Sequence, residues 1–418
     1  MEALNTEPAT ETRSLKPGLI SVFRSGAFRK LWTGLTLSLA ADLFSYVAMA
    51  WLVLQLTGSS LALGAVLTVQ AVPRALLMLV GGALVDRVSA RLTMAGSMAL
   101  RVVCLAPLAV LILTGRVQLW EVYIASGLFG AFDAFFYPAQ SAILPRTVSD
   151  DMLEAGNAVT NITRQVSIVV FPGVAGLVVA ALGTGWAFAI DAVCLALGAA
   201  VVLWMPATAR VAQAVTKARN GLGADIGAGI RYALSDAGIR SALLIIAAVD
   251  FAASGAIDVG LPTLAHGRFD AGSVGLGVLL GAWGAGATAG AAVAGMRRRP
   301  DRMGWLIIAT CSWIGAGIAV MGLLGSLPAG AITLALTGVA TGVINTYGVS
   351  WLQRRTDPAM QGRVMSLVML ASIGLVPISL ALSGAMAQLN PTVLFLVAGG
   401  LILAATATAA SSRTVRSI

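Results

Sequence analysis

The sequence predicts an all-α membrane protein that crosses a bilayer many times, and three observations carry that prediction. Only 11% of the 418 residues are charged while 58% are hydrophobic, against about 25% charged in a soluble chain. Mean hydropathy is +0.89. Two long runs hold no Asp, Glu, Lys, Arg or His: 51 residues between Arg302 and Arg354, and 49 between Arg363 and Arg413. One crossing takes roughly 20 apolar residues, so each run is long enough for two. Gly325-Ser326-Leu327-Pro328 and Gln388-Leu389-Asn390-Pro391 mark the turns in the middle of the runs.

Reading the other apolar runs in the same way gives twelve spans. The first, 30–57, follows Arg29-Lys30, and the second, 61–84, ends before Asp86-Arg87. Spans three to six fall at 92–114, 118–140, 156–181 and 185–205, separated by Arg116, Arg146 and Gly183. Seven begins at 240 and reaches 263, and eight covers 273–296, ahead of Arg297-Arg298-Arg299. The uncharged runs supply nine to twelve at 303–324, 328–352, 364–388 and 391–411. The 47 Gly residues, spread through these runs, suit helices that pack backbone to backbone in lipid.

Alternating the loops sorts the charge. Twenty-two of the 27 Lys and Arg residues fall on one side; only Arg116 and Arg268 fall on the other, and Arg74, Arg101 and Arg164 lie within spans. The basic side is expected to be cytoplasmic, with both termini inside a plasma membrane. Residues 1–30 lack the apolar region of a cleavable signal, so the first span is expected to direct insertion. The longest polar stretch, 206–239, divides the chain into six-helix bundles at 30–205 and 240–411, flanked by a cytoplasmic segment 1–29 and a tail 412–418. The halves echo each other: Asp42 with Asp250, and Phe171-Pro172 with Val376-Pro377, at similar offsets. Duplicated six-helix bundles place a binding site between them near the midplane.

Composition also excludes functions. The net charge of +9 is explained by topology and needs no nucleic acid. Cys104, Cys194 and Cys311 sit singly in apolar runs, and the lone His266 rules out a His-based metal cluster within the chain. No G-x-x-x-x-G-K-[ST] loop is present, and no nucleophile–base pair suggests an enzyme. No cofactor is expected.

Ionisable side chains inside spans usually face a cavity or each other. Here they are Asp42, Arg74, Arg101, Asp133, Arg164, Asp191, Asp250 and Asp258, and spans nine to twelve hold none. At about 1.5 Å per residue, Asp42, Arg74 and Asp250 lie near mid-membrane. Asp42 and Arg74 therefore read either as a static pair or as a proton and substrate site. Asp250, with no basic residue in its own span, reads as the better proton acceptor. Arg101 and Asp133 match in depth and read as a structural pair; Arg164 and Asp191 read as packing groups. Asp258 is open between snorkelling and an outer gate. The aromatic residues of span four, Phe129 to Tyr137, read as walls for an amphipathic ligand.

Several motifs resemble the major facilitator superfamily over residues 20–410. Gly82-Ala-Leu84-Val-Asp86-Arg87-Val-Ser89-Ala90-Arg91 is similar to its G-x-L-x-D-R-x-G-R-R/K loop, with Ser89 and Ala90 as departures. The stretches around Tyr137-Pro138, Trp186-Ala-Phe188 and Gln361-Gly362-Arg363 resemble the branch of enterobactin and macrolide exporters. Phe171-Pro172-Gly-Val-Ala175-Gly176 partly matches the antiporter motif of span five, with Pro172 and Gly176 retained. The resemblance implies twelve helices in two pseudo-symmetric bundles and a gating loop of Gly82, Asp86, Arg87 and Arg91. It implies proton-coupled export of a small amphipathic compound by a monomer using alternating access. An importer or lipid transporter of the same fold, or a membrane receptor or assembly factor, stays open as an alternative.

Overall fold

A computed structural model describes residues 19–206, 230–297, 300, 302–357 and 360–411, with the side chains of 79–87 outside the description. Twelve helices in it are long and apolar enough to cross a membrane. In order they are Gly26–Thr57, Ser60–Met78, Ala90–Leu113, Leu119–Thr147, Asp150–Leu182, Thr184–Leu203, Ala237–His266, Gly272–Met296, Met303–Met321, Leu327–Arg355, Gln361–Leu389 and Pro391–Ser411. The second helix itself continues to Arg87. The expected segments 1–29, 206–239 and 412–418 fall wholly or largely outside the described residues.

Local chemistry explains the ends. Ser25 caps span one by accepting from the Phe28 amide at 3.2 Å, and Gly58, at φ 61°, ends it in the left-handed region where a Cβ is disfavoured. Asp236 caps span seven, accepting from the Gly238 and Ile239 amides at 2.8 and 2.9 Å. Burial opposes its charge, but the Arg355 guanidinium at 3.0 Å and those two amides outweigh burial and hold the carboxyl below its ordinary range. Lys30 and Arg91 donate to carbonyls at the end of span six, Lys30 to Trp204 at 2.8 Å and Arg91 to Met205 and Leu203, which satisfies acceptors that no further turn can reach.

Span four runs further than the expected 118–140. It breaks at Ala134-Phe135 and resumes from Phe136 to Thr147. Pro138 has no N–H for the Ala134 carbonyl, so the ladder fails one turn before it. Span eleven breaks at Gly374-Leu375 in the same way ahead of Pro377.

Packing repeats with an offset of six spans. Span one lies on five and six, and seven lies on eleven and twelve. Three packs on six and nine on twelve; two packs on four and eight on ten. The halves meet through spans two with eleven and five with eight. The result is the expected fold of twelve helices in two pseudo-symmetric six-helix bundles. One of the tight backbone contacts among the described residues is a glycine seam between spans eight and ten. A Cβ on Gly286 or Gly290 would stand 1.9 or 2.1 Å from the carbonyl oxygen of Ala335 or Val339. Only hydrogen fits there, which is how bilayer helices gain contact when lipid removes the hydrophobic drive between them.

Candidate functional site

Spans one to four bring four charges together. Arg101, fully buried, donates to Asp42 through Nη2 and lies 3.2 Å from Asp133 through Nη1. Arg74 Nε reaches the other Asp133 oxygen at 3.2 Å. The pairing therefore differs from the separate Asp42–Arg74 and Arg101–Asp133 pairs that depth alone suggested. Arg101 bridges both carboxylates, and Arg74 closes the chain on Asp133. Depth follows from residue count, but the direction in which each side chain points follows from how the helices are rotated in the bundle.

Aromatic rings of span four flank these guanidinium groups. Arg101 lies 4.3 Å from the Phe129 centroid and 5.9 Å from that of Phe136, and Arg74 lies 5.1 Å from that of Tyr137. Arg164, on span five, lies 6.0 Å from the same Tyr137 centroid. Ring faces attract desolvated cations, so much of the span-four cluster serves the charge network. Phe129 and Tyr137 also line a cavity of about 220 Å³ beside Asp42, Arg74 and Asp133. Asp191, buried on span six, accepts a hydrogen bond from Ser45.

A larger cavity of about 480 Å³ lies where spans one and five meet spans seven, eight and ten. Asp250, Asp258, Trp283, Thr337 and Asn345 are among the residues lining it. Tyr46 and Leu43 line both cavities and separate them. Tyr46 donates its hydroxyl to Asp258 at 2.7 Å, linking the two halves. Asp258 thus turns inward, towards a partner and a cavity, and does not snorkel to the surface. It sits in a π-helical turn, Ala256–Gly260, within span seven; such turns widen a helix locally and often mark working sites. Sequence reading missed both Tyr46 as a link and this turn, because neither leaves a periodic signal.

Other links between halves gather at the end carrying few charges. Ser59 donates to Gln388 at 2.9 Å, Thr263 to Ser60 at 3.0 Å, and Ser273 to the Gly176 carbonyl at 2.9 Å. The Trp51 and His266 rings meet edge to face at 5.1 Å. Gly64 and Gly384 abut: a Cβ on Gly64 would come within 2.7 Å of the Gly384 Cα. Pro172 and Gly176 belong to this seam, since a Cβ on Gly277 would lie 2.5 Å from the Pro172 oxygen. The molecule is closed at this end. Of the expected gating loop, Arg91 caps span six, while the side chains of Gly82, Asp86 and Arg87 lie outside the described residues.

A duplicated helical bundle closed at one end, with a cavity between its halves and a second cavity beside buried charges within the first half, is the architecture of a multi-pass membrane transporter. The chain belongs to the major facilitator superfamily, in the family described as transmembrane secretion effector, which matches residues 18–418. It is 28% identical over 368 residues to the multidrug efflux pump Tap of Mycolicibacterium fortuitum, covering 84% of this chain and 86% of that protein. It is also 28% identical over 247 residues to the enterobactin exporter EntS of Escherichia coli, where 57% of each chain is covered. Solved structures share the fold: the nucleoside transporter NupG at TM-score 0.73 and 14% identity, covering 92% of this chain and 98% of that one. The peptide transporter POT in complex with sulfate gives 0.73 at 16% identity, with 95% of both chains covered. The protein is a transporter of small molecules and not an enzyme.

Proposed function

We propose that the protein exports a small amphipathic compound across the plasma membrane, as a monomer, in exchange for protons. The observation that supports this best is the pair of adjoining cavities, one beside a buried charge network and one beside two carboxylates, in a molecule closed at one end by contacts between its halves. Alternating access needs such a site between bundles that can rock. Asp42 and Arg74 bind or orient substrate, and Asp250 carries the proton. Arg101 with Asp133 holds the first bundle together. Pro172 and Gly176 shape the seam between spans five and eight. Gly82, Asp86, Arg87 and Arg91, on either side of the turn between spans two and three, fasten the opposite face when the closed end opens. Similarity to Tap and EntS favours export over import.

Reconstituted protein with an imposed pH gradient tests the coupling. Asp42→Asn and Asp250→Asn are each expected to abolish uphill movement of a multidrug-pump substrate while the protein still reaches the membrane. Uphill pumping at normal rate and pH dependence by both variants would refute a coupling role for these carboxylates.

The orientation has its own test. The closed end faces outward in this reading, with both termini in the cytoplasm. In a chain freed of native cysteines, single cysteines at Gly183, Ser326 or Asn390 are expected to react with an impermeant thiol reagent applied to intact cells. A cysteine at Ala218 is expected to stay unlabelled. The reverse pattern would invert the topology.

A further inference from the structure

Away from the two cavities, an open groove of about 420 Å³ lies towards the end of the molecule that gathers the basic residues. Three elements build it. The helical stretch 230–235, which leads into span seven, supplies Ile230, Ala233 and Leu234. Span seven supplies Leu243, and span eleven supplies a stripe from Leu367 to Leu375. Ile230, Ala233 and Leu234 are spaced i, i+3, i+4, and Leu367, Leu370, Ala371 and Gly374 keep the same spacing, so each helix presents one face. Every described residue lining the groove is Ile, Leu, Ala or Gly. Leu234 and Leu370 remain more than half exposed, at 55% and 52%. The break in span eleven at Gly374-Leu375 ends the stripe.

Basic residues stand at the polar end of each element. On span seven Arg240 precedes Leu243 by three residues, and on span eleven Arg363 precedes Leu367 by four, so each shares a helix face with the groove. Helical side chains lean towards the N-terminus, which carries both guanidinium groups towards the mouth of the groove. Arg240 Nη1 donates to the Leu234 carbonyl at 3.2 Å, which fixes it beside the groove wall. Arg231 lies on the flank of the 230–235 stretch, one residue after Ile230 and three before Leu234, and both Arg231 and Arg240 are exposed. The acid between them in sequence, Asp236, is engaged instead by Arg355 at 3.0 Å and by the Gly238 and Ile239 amides. Two exposed cations thus border an apolar channel.

We propose that this groove binds an anionic phospholipid, with one acyl chain along span eleven and the phosphate held by Arg231 and Arg240. The inference stands apart from the export reading, since it uses neither cavity and none of the buried charges. Leu367 and Leu375 are eight residues apart, about 12 Å at 1.5 Å per residue, which approaches the roughly 15 Å of hydrocarbon in one leaflet. A transported compound is oriented by a few placed polar groups. The lining offers none, and an acyl chain needs none. Basic pockets between helices at a membrane surface hold anionic headgroups. A second apolar groove, of about 280 Å³ between spans nine and ten, has no such rim: its lining, including Thr310, Trp313 and Val339, lies in mid-span and carries no charged residue.

Two photoactivatable lipids test this on the full chain in phosphatidylcholine nanodiscs. Both carry the same diazirine in one acyl chain; one has a phosphatidylglycerol headgroup and the other phosphatidylcholine, each added in trace amount. Crosslinked peptides are mapped by mass spectrometry, and the groove between spans nine and ten serves as the internal control. The phosphatidylglycerol probe is expected to label peptides around Leu243 and Leu370 at least about tenfold more than its counterpart. The two probes should label the control groove equally. A double variant, Arg231→Gln with Arg240→Gln, should lower phosphatidylglycerol labelling to the level of phosphatidylcholine. Leu370→Trp, at an exposed position, should fill the groove and remove labelling there by both probes while the control groove keeps its own. A weaker headgroup preference in wild type, or the same preference at both grooves, means ordinary bilayer lipid and overturns the proposal. So does a preference unchanged in the double variant, which would place the anionic headgroup on other residues. The wild-type comparison of the two grooves decides even if a variant fails to fold.

Discussion

Replacing Arg101 with Met is expected to destabilise the protein by roughly 3–5 kcal/mol, the cost of breaking a buried charge cluster from one side. The guanidinium is the bridge between Asp42 and Asp133, and its side chain is fully buried on span three. Without it two carboxylates face each other, with Arg74 held to only one of them. Span one loses its polar tie to span three, and Phe129 loses the cation at its face. Thermal unfolding of the purified protein, followed by tryptophan fluorescence and by loss of monodisperse elution, reads the effect. The diagnostic partner is a triple variant, Arg101→Met with Asp42→Asn and Asp133→Asn. It removes the stranded charges and should recover much of the lost stability. A single variant as stable as wild type would mean that the network contributes little to folding.

Gly64→Val is expected to abolish the closed end and shift the population towards the opposite state. A Cβ there would lie 2.7 Å from both the Gly384 Cα and the Leu380 oxygen, and backbone cannot yield as a flexible side chain can. The two branches of Val make the clash worse. Each bundle stays intact, since Gly64 meets span eleven of the other half, so the penalty falls on the closed arrangement alone. Moving a two-state equilibrium from one extreme to the other takes only about 5.5 kcal/mol, and a backbone clash at a helix crossing is of that order. Distances between spin labels at Ser59 and Gln388, joined at 2.9 Å in wild type, should lengthen and transport should fall. Unchanged distances with full transport would show that the seam is compliant.

Arg101 and Gly64 also show how far the chain can be read without its structure. Span count and the side that gathers basic residues follow from runs of hydropathy and from charges between them, because lipid penalises every exposed polar group and each crossing must satisfy its backbone by itself. The charged residues inside the spans were legible too, since they are rare enough to name one by one. Their pairing was legible only in part: Arg101 and Asp133 match in depth and do meet, at 3.2 Å. Asp42 and Arg74 share a depth, yet the carboxylate meets Arg101, and Arg74 meets Asp133. Asp250 and Asp258 were visible as isolated acids, whereas the cavity they share was not. Gly64 looked like any of the 47 glycines until its crossing with Gly384 was known.

By itself, then, the sequence determined a twelve-span chain in two related halves, its charge asymmetry, and two acidic groups within span seven. These are one-dimensional quantities: length, order and composition along each helix. The tertiary structure alone decided which end is closed, which guanidinium serves which carboxylate, and that Tyr46 reaches across the halves to Asp258. Those depend on the rotation of each helix about its axis and on the tilt at which it crosses its neighbours. Both are set by interlocking side chains from distant parts of the chain, and no local stretch encodes them.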